Sequence, residues 1–128
     1  MEMKFYRCKH CGQIVAIVKK TGADIICCGD EMEEIIPGTV DASLEKHVPV
    51  YKIKGDVVHV KVGAEMHPMT PEHYIEWIAI QTKNGNQRVT LKPGDAPKAC
   101  FALVDDDEVE AVYAYCNLHS LWMGKEKE

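Results

Sequence analysis

Four cysteines near the start of the chain have the spacing of a metal site. Cys8 and Cys11 are separated by two residues, Cys27 and Cys28 are adjacent, and a glycine follows each pair. The first spacing lets two thiolates reach one ion, and the glycine allows the tight backbone turn behind them. We expect the four thiolates to hold one metal ion, for which both zinc and iron are suitable. The alternatives are a purely structural zinc ribbon and a Cys27–Cys28 disulfide that leaves the other pair idle.

Histidines and one further cysteine form a second set of candidate ligands in the rest of the chain. Its members are His47, His67, His73, Cys116 and His119. Because zinc in proteins usually has four ligands, five nitrogen and sulfur donors exceed what zinc normally takes. Iron or another redox metal accommodates five such ligands and keeps a sixth position open. A reactive small molecule needs such a position, so the set predicts a catalytic redox centre.

Three other histidines and cysteines have ordinary explanations. His10 lies between Cys8 and Cys11 and is expected at the surface rather than on the metal. His59 lies on a predicted strand outside any motif, where a histidine is usually exposed or hydrogen-bonded. Cys100 lies between Ala99 and Phe101 in an apolar strand, and we expect it to be a buried core thiol.

The elements that position the first set form a small domain over residues 1–37. A segment of this size cannot bury a sufficient core, so it needs a metal, disulfides or a partner. An apolar run over residues 14–18 suits a strand, residues 21–24 have turn chemistry, and a return strand begins at Ile25. These features predict a metal-stapled hairpin. Pro37-Gly38 breaks the pattern, and the second domain is predicted over residues 38–128.

The second domain has the signals of short strands. Three valines in residues 58–62 alternate with polar residues, as in a half-buried strand. Asn84-Gly85-Asn86 separates the runs 74–82 and 87–91 and predicts a hairpin. Because no long helical period is visible, we predict an all-β protein with a β-sandwich or barrel as its larger part.

Composition excludes several classes of function. The 128 residues include 15 lysines and arginines against 20 aspartates and glutamates, a net charge of −5. A general nucleic-acid binder would need a basic surface to displace counterions, so nucleic acid is not an expected partner. No apolar run approaches the roughly 20 residues that span a bilayer. The first residues lack the apolar region of a signal peptide, so we expect a cytoplasmic protein in which cysteines act as ligands.

The two ligand sets together resemble desulfoferrodoxin, the two-iron family of superoxide reductases. The resemblance covers essentially the whole chain. Its N-terminal part matches the family's desulforedoxin-like domain through Cys8, Cys11, Cys27 and Cys28. The rest matches the catalytic domain through Glu45-Lys46-His47, His67-Pro68-Met69 with His73, and Cys116-Asn117-Leu118-His119.

The resemblance implies two irons per chain. The first is a rubredoxin-like iron with four thiolate ligands. The second is a square-pyramidal iron with the four histidines of the second set in its plane and Cys116 as the axial thiolate. The family's catalytic domain is an immunoglobulin-like β-sandwich, and its members are typically homodimers that take electrons from rubredoxin.

The expected reaction is the reduction of superoxide to hydrogen peroxide by one electron and two protons, which detoxifies superoxide. Because the protein is acidic and the substrate is an anion, a local positive charge is needed beside the centre, and Lys46 is the candidate. The resemblance implies that Glu45 is a carboxylate that occupies the sixth position of the ferric product.

Three other functions are compatible with these residues. A rubredoxin-type electron carrier would show reversible redox chemistry without binding small anions. A zinc-stapled binding module would be colourless. A superoxide dismutase would release oxygen and would need no external reductant.

Overall fold

A computed structural model describes residues 2–126 of the chain, except for the side chains of residues 45, 125 and 126. The structure divides into two compact units, Glu2–Ile36 and the part that begins at Pro37. Within the described residues, no helix is long and apolar enough to cross a membrane.

The first unit contains five short strands and two small antiparallel sheets. The strands are β1 (Phe5–Arg7), β2 (Ile14–Ala16), β3 (Ile26–Cys27), β4 (Asp30–Glu31) and β5 (Glu33–Glu34). Strand β1 lies between β2 and β5, and β3 pairs with β4. The predicted hairpin, in which the strand near residue 14 pairs with a strand starting at Ile25, is therefore wrong.

A tight turn explains why β3 pairs with β4 instead. Cys27 is paired with Asp30, so Cys28 and Gly29 are the two central residues of the turn. Their φ angles are 53° and 75°, and a two-residue turn with positive φ at both positions matches the natural twist of a hairpin. Strands β3 and β4, which this turn connects, therefore form a separate two-stranded hairpin.

The first unit buries few apolar side chains. Those in its interior are Phe5, Cys8, Met32 and Ile35. A core this small does not normally stabilise a domain of this length without a metal or another cross-link.

The second unit is a β-sandwich, as predicted. Its elements are α1 (Leu44–His47), β6 (Pro49–Lys54), β7 (Val57–Val62), β8 (Ile75–Thr82), β9 (Asn86–Thr90), β10 (Lys98–Ala102), β11 (Val109–Cys116), β12 (Ser120–Met123) and β13 (Lys125–Glu126). One four-stranded sheet has the order β10-β7-β6-β13 and the other β12-β11-β8-β9. All neighbours are antiparallel except β13 and β6. The predicted hairpin across residues 84–86 is confirmed as β8 and β9.

Alternation along the strands builds the core between the sheets. Val58, Val60 and Val62 of β7 are buried, whereas the residues between them are exposed or half-buried. They pack with three isoleucines of β8 and with Val112 of β11. The half-buried strand predicted from the valine pattern is confirmed.

The same alternation shows that the prediction for Cys100 was wrong. On β10, Ala99 and Phe101 point into the core, so Cys100 points away from it and is exposed. Its sulfur lies 3.3 Å from Nδ1 of His59 on the neighbouring strand. His59 is exposed, as expected.

Candidate metal centres

The four cysteines of the first unit converge on one point. Their sulfur atoms all lie within 4.8 Å of one another. The sulfur of Cys27 is 3.7 Å from that of Cys11 and 4.0 Å from that of Cys28. A disulfide would need about 2.05 Å. The alternative of a Cys27–Cys28 disulfide is therefore wrong, and the cysteines are free thiols.

The backbone of the C-x2-C segment forms a tight turn that directs the amide of Cys11 toward the Cys8 sulfur. The amide of Gly12 donates to the carbonyl of Cys8 at 2.9 Å, and the amide of Cys11 lies 3.5 Å from the Cys8 sulfur. Gly12 has a φ of 81°, in the left-handed region that glycine adopts without strain. His10 points away from the sulfurs, and its Nε2 lies 3.2 Å from Oδ2 of Asp30. The prediction that His10 is a surface residue is confirmed.

The pKa values of these thiols are spread over a wide range, as expected for sulfur atoms in close contact without a metal ion. The backbone amide of Cys11 lowers the pKa of Cys8 to about 6. Hydrogen bonds with the Cys8 and Cys11 side chains raise the pKa of Cys27 to about 12. Without metal the sulfurs therefore share protons, and metal binding as thiolates would release them.

The second set of ligands comes from three separate parts of the sandwich. His47 ends α1, His67 and His73 lie between β7 and β8, and Cys116 ends β11. One ligand atom from each of these four residues lies within 4.8 Å of the others. His119, in the turn before β12, completes the cluster, since its Nδ1 lies 3.0 Å from Nε2 of His47 and 3.9 Å from the Cys116 sulfur.

Two backbone carbonyls fix which nitrogen of each ring faces the centre. Nδ1 of His47 donates to the carbonyl of Ser43 at 2.7 Å, and Nδ1 of His67 donates to the carbonyl of Pro68 at 2.7 Å. Because a carbonyl only accepts, the proton of each neutral ring is on Nδ1 and Nε2 keeps its lone pair. Such carbonyl partners typically orient metal-binding histidines.

The unpaired nitrogens are the observation that best fits a metal. Nε2 of His67 and Nε2 of His73 are buried and have no hydrogen-bond partner among the described side chains. A buried polar atom normally has a partner, and each exception needs an explanation. An ion bound at the convergence point would be a common partner for both atoms. The donor set of imidazoles and one thiolate suits a transition metal such as iron.

The titration of the ligands is compatible with metal binding at neutral pH. Burial lowers the pKa of His67 to about 4 and also lowers the pKa values of His47 and His73. These rings are therefore neutral near pH 7. Burial raises the pKa of Cys116, and the amides of Leu118 and His119 act in the opposite direction by hydrogen bonding to its sulfur.

Asn117 and Trp122 hold the ligand-bearing segments together, and the sequence reasoning did not assign either role. The Asn117 side chain accepts from the amide of Tyr74 at 2.9 Å and donates to the carbonyl of Glu72 at 3.0 Å. The indole of Trp122 donates to the carbonyl of His119 at 2.9 Å. The available sequence signal for Asn117 was its position between two candidate ligands, Cys116 and His119. In the structure its side chain ties the loop of His73 to the turn after Cys116.

Two charged residues, Glu45 and Lys46, directly precede His47, and the structure describes the side chain of Lys46. Lys46 is exposed, and its charge lowers the pKa values of both His47 and His73. The positive charge of the exposed Lys46 side chain therefore contributes to the electrostatic potential at the second centre. The side chain of Glu45 lies outside the described part of the chain.

Comparison with known proteins extends this picture to a family. The family model described as Desulfoferrodoxin matches residues 39–125, and the one described as Desulfoferrodoxin, N-terminal domain, matches residues 1–35. The chain belongs to the desulfoferrodoxin family. It is 46% identical over 120 residues to the desulfoferrodoxin homolog of Archaeoglobus fulgidus, and the match covers 94% of each protein. It is 41% identical over 121 residues to the desulfoferrodoxin of Syntrophotalea carbinolica, again with 94% of each covered.

A solved structure agrees with both the fold and the family. The superoxide reductase from Treponema pallidum superimposes with a TM-score of 0.82 at 40% identity, covering 98% of this chain and 100% of that chain. The four-cysteine cluster and the four-histidine, one-cysteine cluster match the two iron centres of desulfoferrodoxin. The expectation of two irons per chain is confirmed. The four-cysteine site is therefore an iron site, and the alternative of a structural zinc ribbon is wrong.

Proposed function

We propose that the chain is a superoxide reductase, which transfers one electron to superoxide while two protons are taken up and hydrogen peroxide leaves. The observation that carries this proposal is the cluster of four imidazoles and one thiolate, in which two buried Nε2 atoms have no partner in the part of the chain that the structure describes. A carrier or a structural zinc site does not need a fifth ligand.

The ligands of the second iron, in this proposal, are Nε2 of three histidines, Nδ1 of the fourth and the sulfur of the cysteine. They belong to His47, His67, His73, His119 and Cys116. The first iron is held by the sulfurs of Cys8, Cys11, Cys27 and Cys28. Iron at the second centre supplies the reducing electron when bound, and a thiolate ligand increases its electron density.

The chain's own groups prepare this centre. Cys116 is fully buried, and two backbone amides hold its sulfur as an acceptor. His47 and His67 are also buried, whereas His73 and His119 are half-buried. We therefore propose that small anions approach from the side of His73 and His119, whose side chains are the more exposed of the four histidines.

Lys46 is proposed to draw superoxide to that side. The chain has a net charge of −5, which repels an anion at long range. The pKa effect of Lys46 on His47 and His73 supports a local positive potential at the centre. Local fields of this kind raise the association rates of charged substrates.

Glu45 is proposed to supply a carboxylate to the second centre once peroxide has left. Its place in the sequence, directly before Lys46 and His47 at the edge of the site, supports this role. Replacing Glu45 with Ala should alter the spectrum of the oxidised protein. The reaction of the reduced protein with superoxide should remain nearly unchanged.

The reaction consumes one electron per superoxide and therefore needs a reducing partner, for which we propose rubredoxin. We also propose a homodimer, as the family resemblance implies. We also propose a cytoplasmic location, because none of the six cysteines forms a disulfide, as is typical of proteins in reducing compartments.

The test is a steady-state assay with a constant supply of superoxide and a measured supply of reductant. A reductase consumes one electron per superoxide and evolves no oxygen. Oxygen release without consumption of reductant would identify a dismutase instead. Reversible redox cycling without superoxide consumption would identify an electron carrier.

A further inference from the structure

Lysines are concentrated on the outer face of one sheet of the sandwich. The alternation that buries the valines of β7 turns every second residue of β6, β7 and β10 away from the core. The cross-strand pairs Lys98↔Lys61 and Lys52↔His59 place these side chains side by side. We call this surface the lysine face, defined by Lys52, Lys54, His59, Lys61, Lys98 and Cys100.

The lysine face differs in charge from the rest of the chain. Four lysines lie on it, although the chain has a net charge of −5. The outward positions of β6, β7 and β10 include no aspartate or glutamate. Among the described side chains, which do not include those of residues 45, 125 and 126, no ion pair involves any of the four lysines. Their charges are therefore available to another molecule.

A concave surface lies at the centre of the lysine face. It has a volume of about 460 Å³, and its walls include Lys52, Lys61 and Lys98 around Val50 and Cys100. An apolar floor with a charged rim is typical of a protein-docking surface, in which polar groups surround the contact core.

One end of the lysine face lies close to the second metal centre. Val50, which pairs with Lys61, follows His47 by three residues, so the two Cα atoms lie within about 11 Å. Strand β7 ends at Val62, just before the loop that carries His67. The amide of Gly63 donates to the carbonyl of Val48 at 3.1 Å, which holds these two segments together.

We propose that the lysine face docks the electron donor, a small redox protein with an acidic surface around its own centre. The inference rests on the proposed function, because that reaction requires one electron from outside for each superoxide. An acidic donor is repelled by most of this chain and attracted by the lysine face. Complementary charge then guides it to the sheet end nearest the centre that must be reduced.

Other occupants fit the lysine face less well. A second copy related by a twofold axis would bring the lysines of both copies into one interface, where their like charges repel. Nucleic acid would meet the repulsion of a chain whose net charge is −5. An acidic protein can contact the lysine face and leave the acidic remainder of the chain uncovered.

The kinetic experiment measures reduction of the oxidised two-iron protein by reduced rubredoxin at several ionic strengths. The test variant is Lys52→Glu with Lys98→Glu. The control is Lys83→Glu with Lys92→Glu, which makes the same change in net charge at two exposed lysines off the lysine face. We expect at least a tenfold lower rate constant and a flatter salt dependence for the test variant, and a change below about twofold for the control.

A second readout does not depend on catalysis. Carbodiimide joins carboxylates of bound rubredoxin directly to lysines of the chain, and the linked peptides are identified by mass spectrometry. Links to Lys52, Lys61 or Lys98 support the proposal. Links only to other lysines overturn it, as does the absence of both links and reduction in the wild-type protein.

The remaining outcomes separate this proposal from the proposed function. Equal slowing in test and control variants means that only net charge matters, which overturns the docking surface. A loss of dimer mass by light scattering in the test variant alone means that a second copy covers the face. The reaction of each reduced variant with superoxide is measured separately: its absence in all proteins, with rubredoxin docking intact, refutes the reductase and leaves the docking surface standing.

Discussion

The protonation state of single histidines decides whether the second centre can form. Carbonyls at Ser43 and Pro68 hold protons on Nδ1 of His47 and His67, and burial keeps the rings neutral. The chain therefore presents lone pairs at the convergence point before any ion arrives. Pre-oriented donors of this kind lower the cost of binding a metal.

This arrangement predicts that the metal-free second unit loses stability as pH falls. The unfolded His67 titrates near 6.5 and the folded one at about 4, so the unfolded state binds more protons between these values. Stability is therefore retained above pH 6.5 and decreases down to about pH 4. Urea unfolding of the metal-free protein can be followed by tryptophan fluorescence, because Trp77 and Trp122 both lie in the second unit.

The control for this pH dependence is a histidine outside the cluster. His67→Gln should flatten the dependence, whereas His59→Gln, at an exposed position, should leave it as in the wild type. Identical slopes in the wild type and the His67 variant would contradict the account.

Lys46 gives a second prediction at the scale of one residue. Lys46→Ile should slow the second-order reaction of the reduced protein with superoxide by about tenfold at low salt and weaken its salt dependence. Lys83→Ile removes the same charge from an exposed turn and is the control. Pulse radiolysis over a range of ionic strengths measures both rates. Equal rates for the two variants would exclude the steering role.

At the scale of elements, the second centre depends on how two connecting segments are tied together. Asn117 bonds to both Tyr74 and Glu72, so the loop before β8 is fixed to the turn after β11. Asn117→Ala removes both bonds without touching a ligand. We expect a loss of about 10- to 100-fold in iron affinity at the second centre and no change at the four-cysteine centre.

Chelator competition checks this prediction, with the two centres followed by their separate absorption bands. Asn84→Ala, at an exposed turn position, is the matched control. If Asn117→Ala releases iron no faster than this control, the two hydrogen bonds do not position the ligands.

The elements also show where sequence reasoning succeeded and failed. The alternating valines predicted β7 correctly, because a strand with one buried face shows hydrophobic residues at every second position. Cys100 was misassigned because its apolar neighbours suggested a continuous buried run, although the same period places it outside. The hairpin prediction for the first unit is wrong because Cys28 and Gly29 form a tight turn of their own, which the spacing of the cysteines as ligands does not reveal. Helix α1, with four residues, is too short for a 3.6-residue period to appear.

At the scale of the whole molecule, the two units differ in how much they depend on metal. The first buries few apolar side chains, so its fold is expected to require its ion. Cys11→Ser should make residues 2–36 sensitive to protease and, if the first unit helps to hold the proposed homodimer, weaken dimerisation, while the second centre still reacts with superoxide at the wild-type rate.

Limited proteolysis and light scattering measure these two effects, and pulse radiolysis measures the third. Cys100→Ser, which changes a thiol outside both clusters, is the control. A variant that stays folded and dimeric but is re-reduced slowly would instead make the first iron an electron relay.

The ligand sets and their convergence were predictable from motifs, but the strand pairings that bring each set together were not. His47 and His119 are separated by 72 positions and come within 3.0 Å only because the two sheets close over one core. The lysine face was also hidden, since it requires the pairing of β10 with β7 and of β7 with β6. Local patterns identify strands and ligand types, whereas these long-range pairings are properties of the folded chain.

The central claim is that the second centre gives one electron to superoxide. The most direct measurement is pulse radiolysis of the fully reduced two-iron protein with substoichiometric superoxide, followed at the absorption band of the second centre. The account predicts rapid oxidation of one iron per superoxide, formation of one hydrogen peroxide and no oxygen. An unchanged second centre, or oxygen released with the centre returning to its starting state, would contradict it.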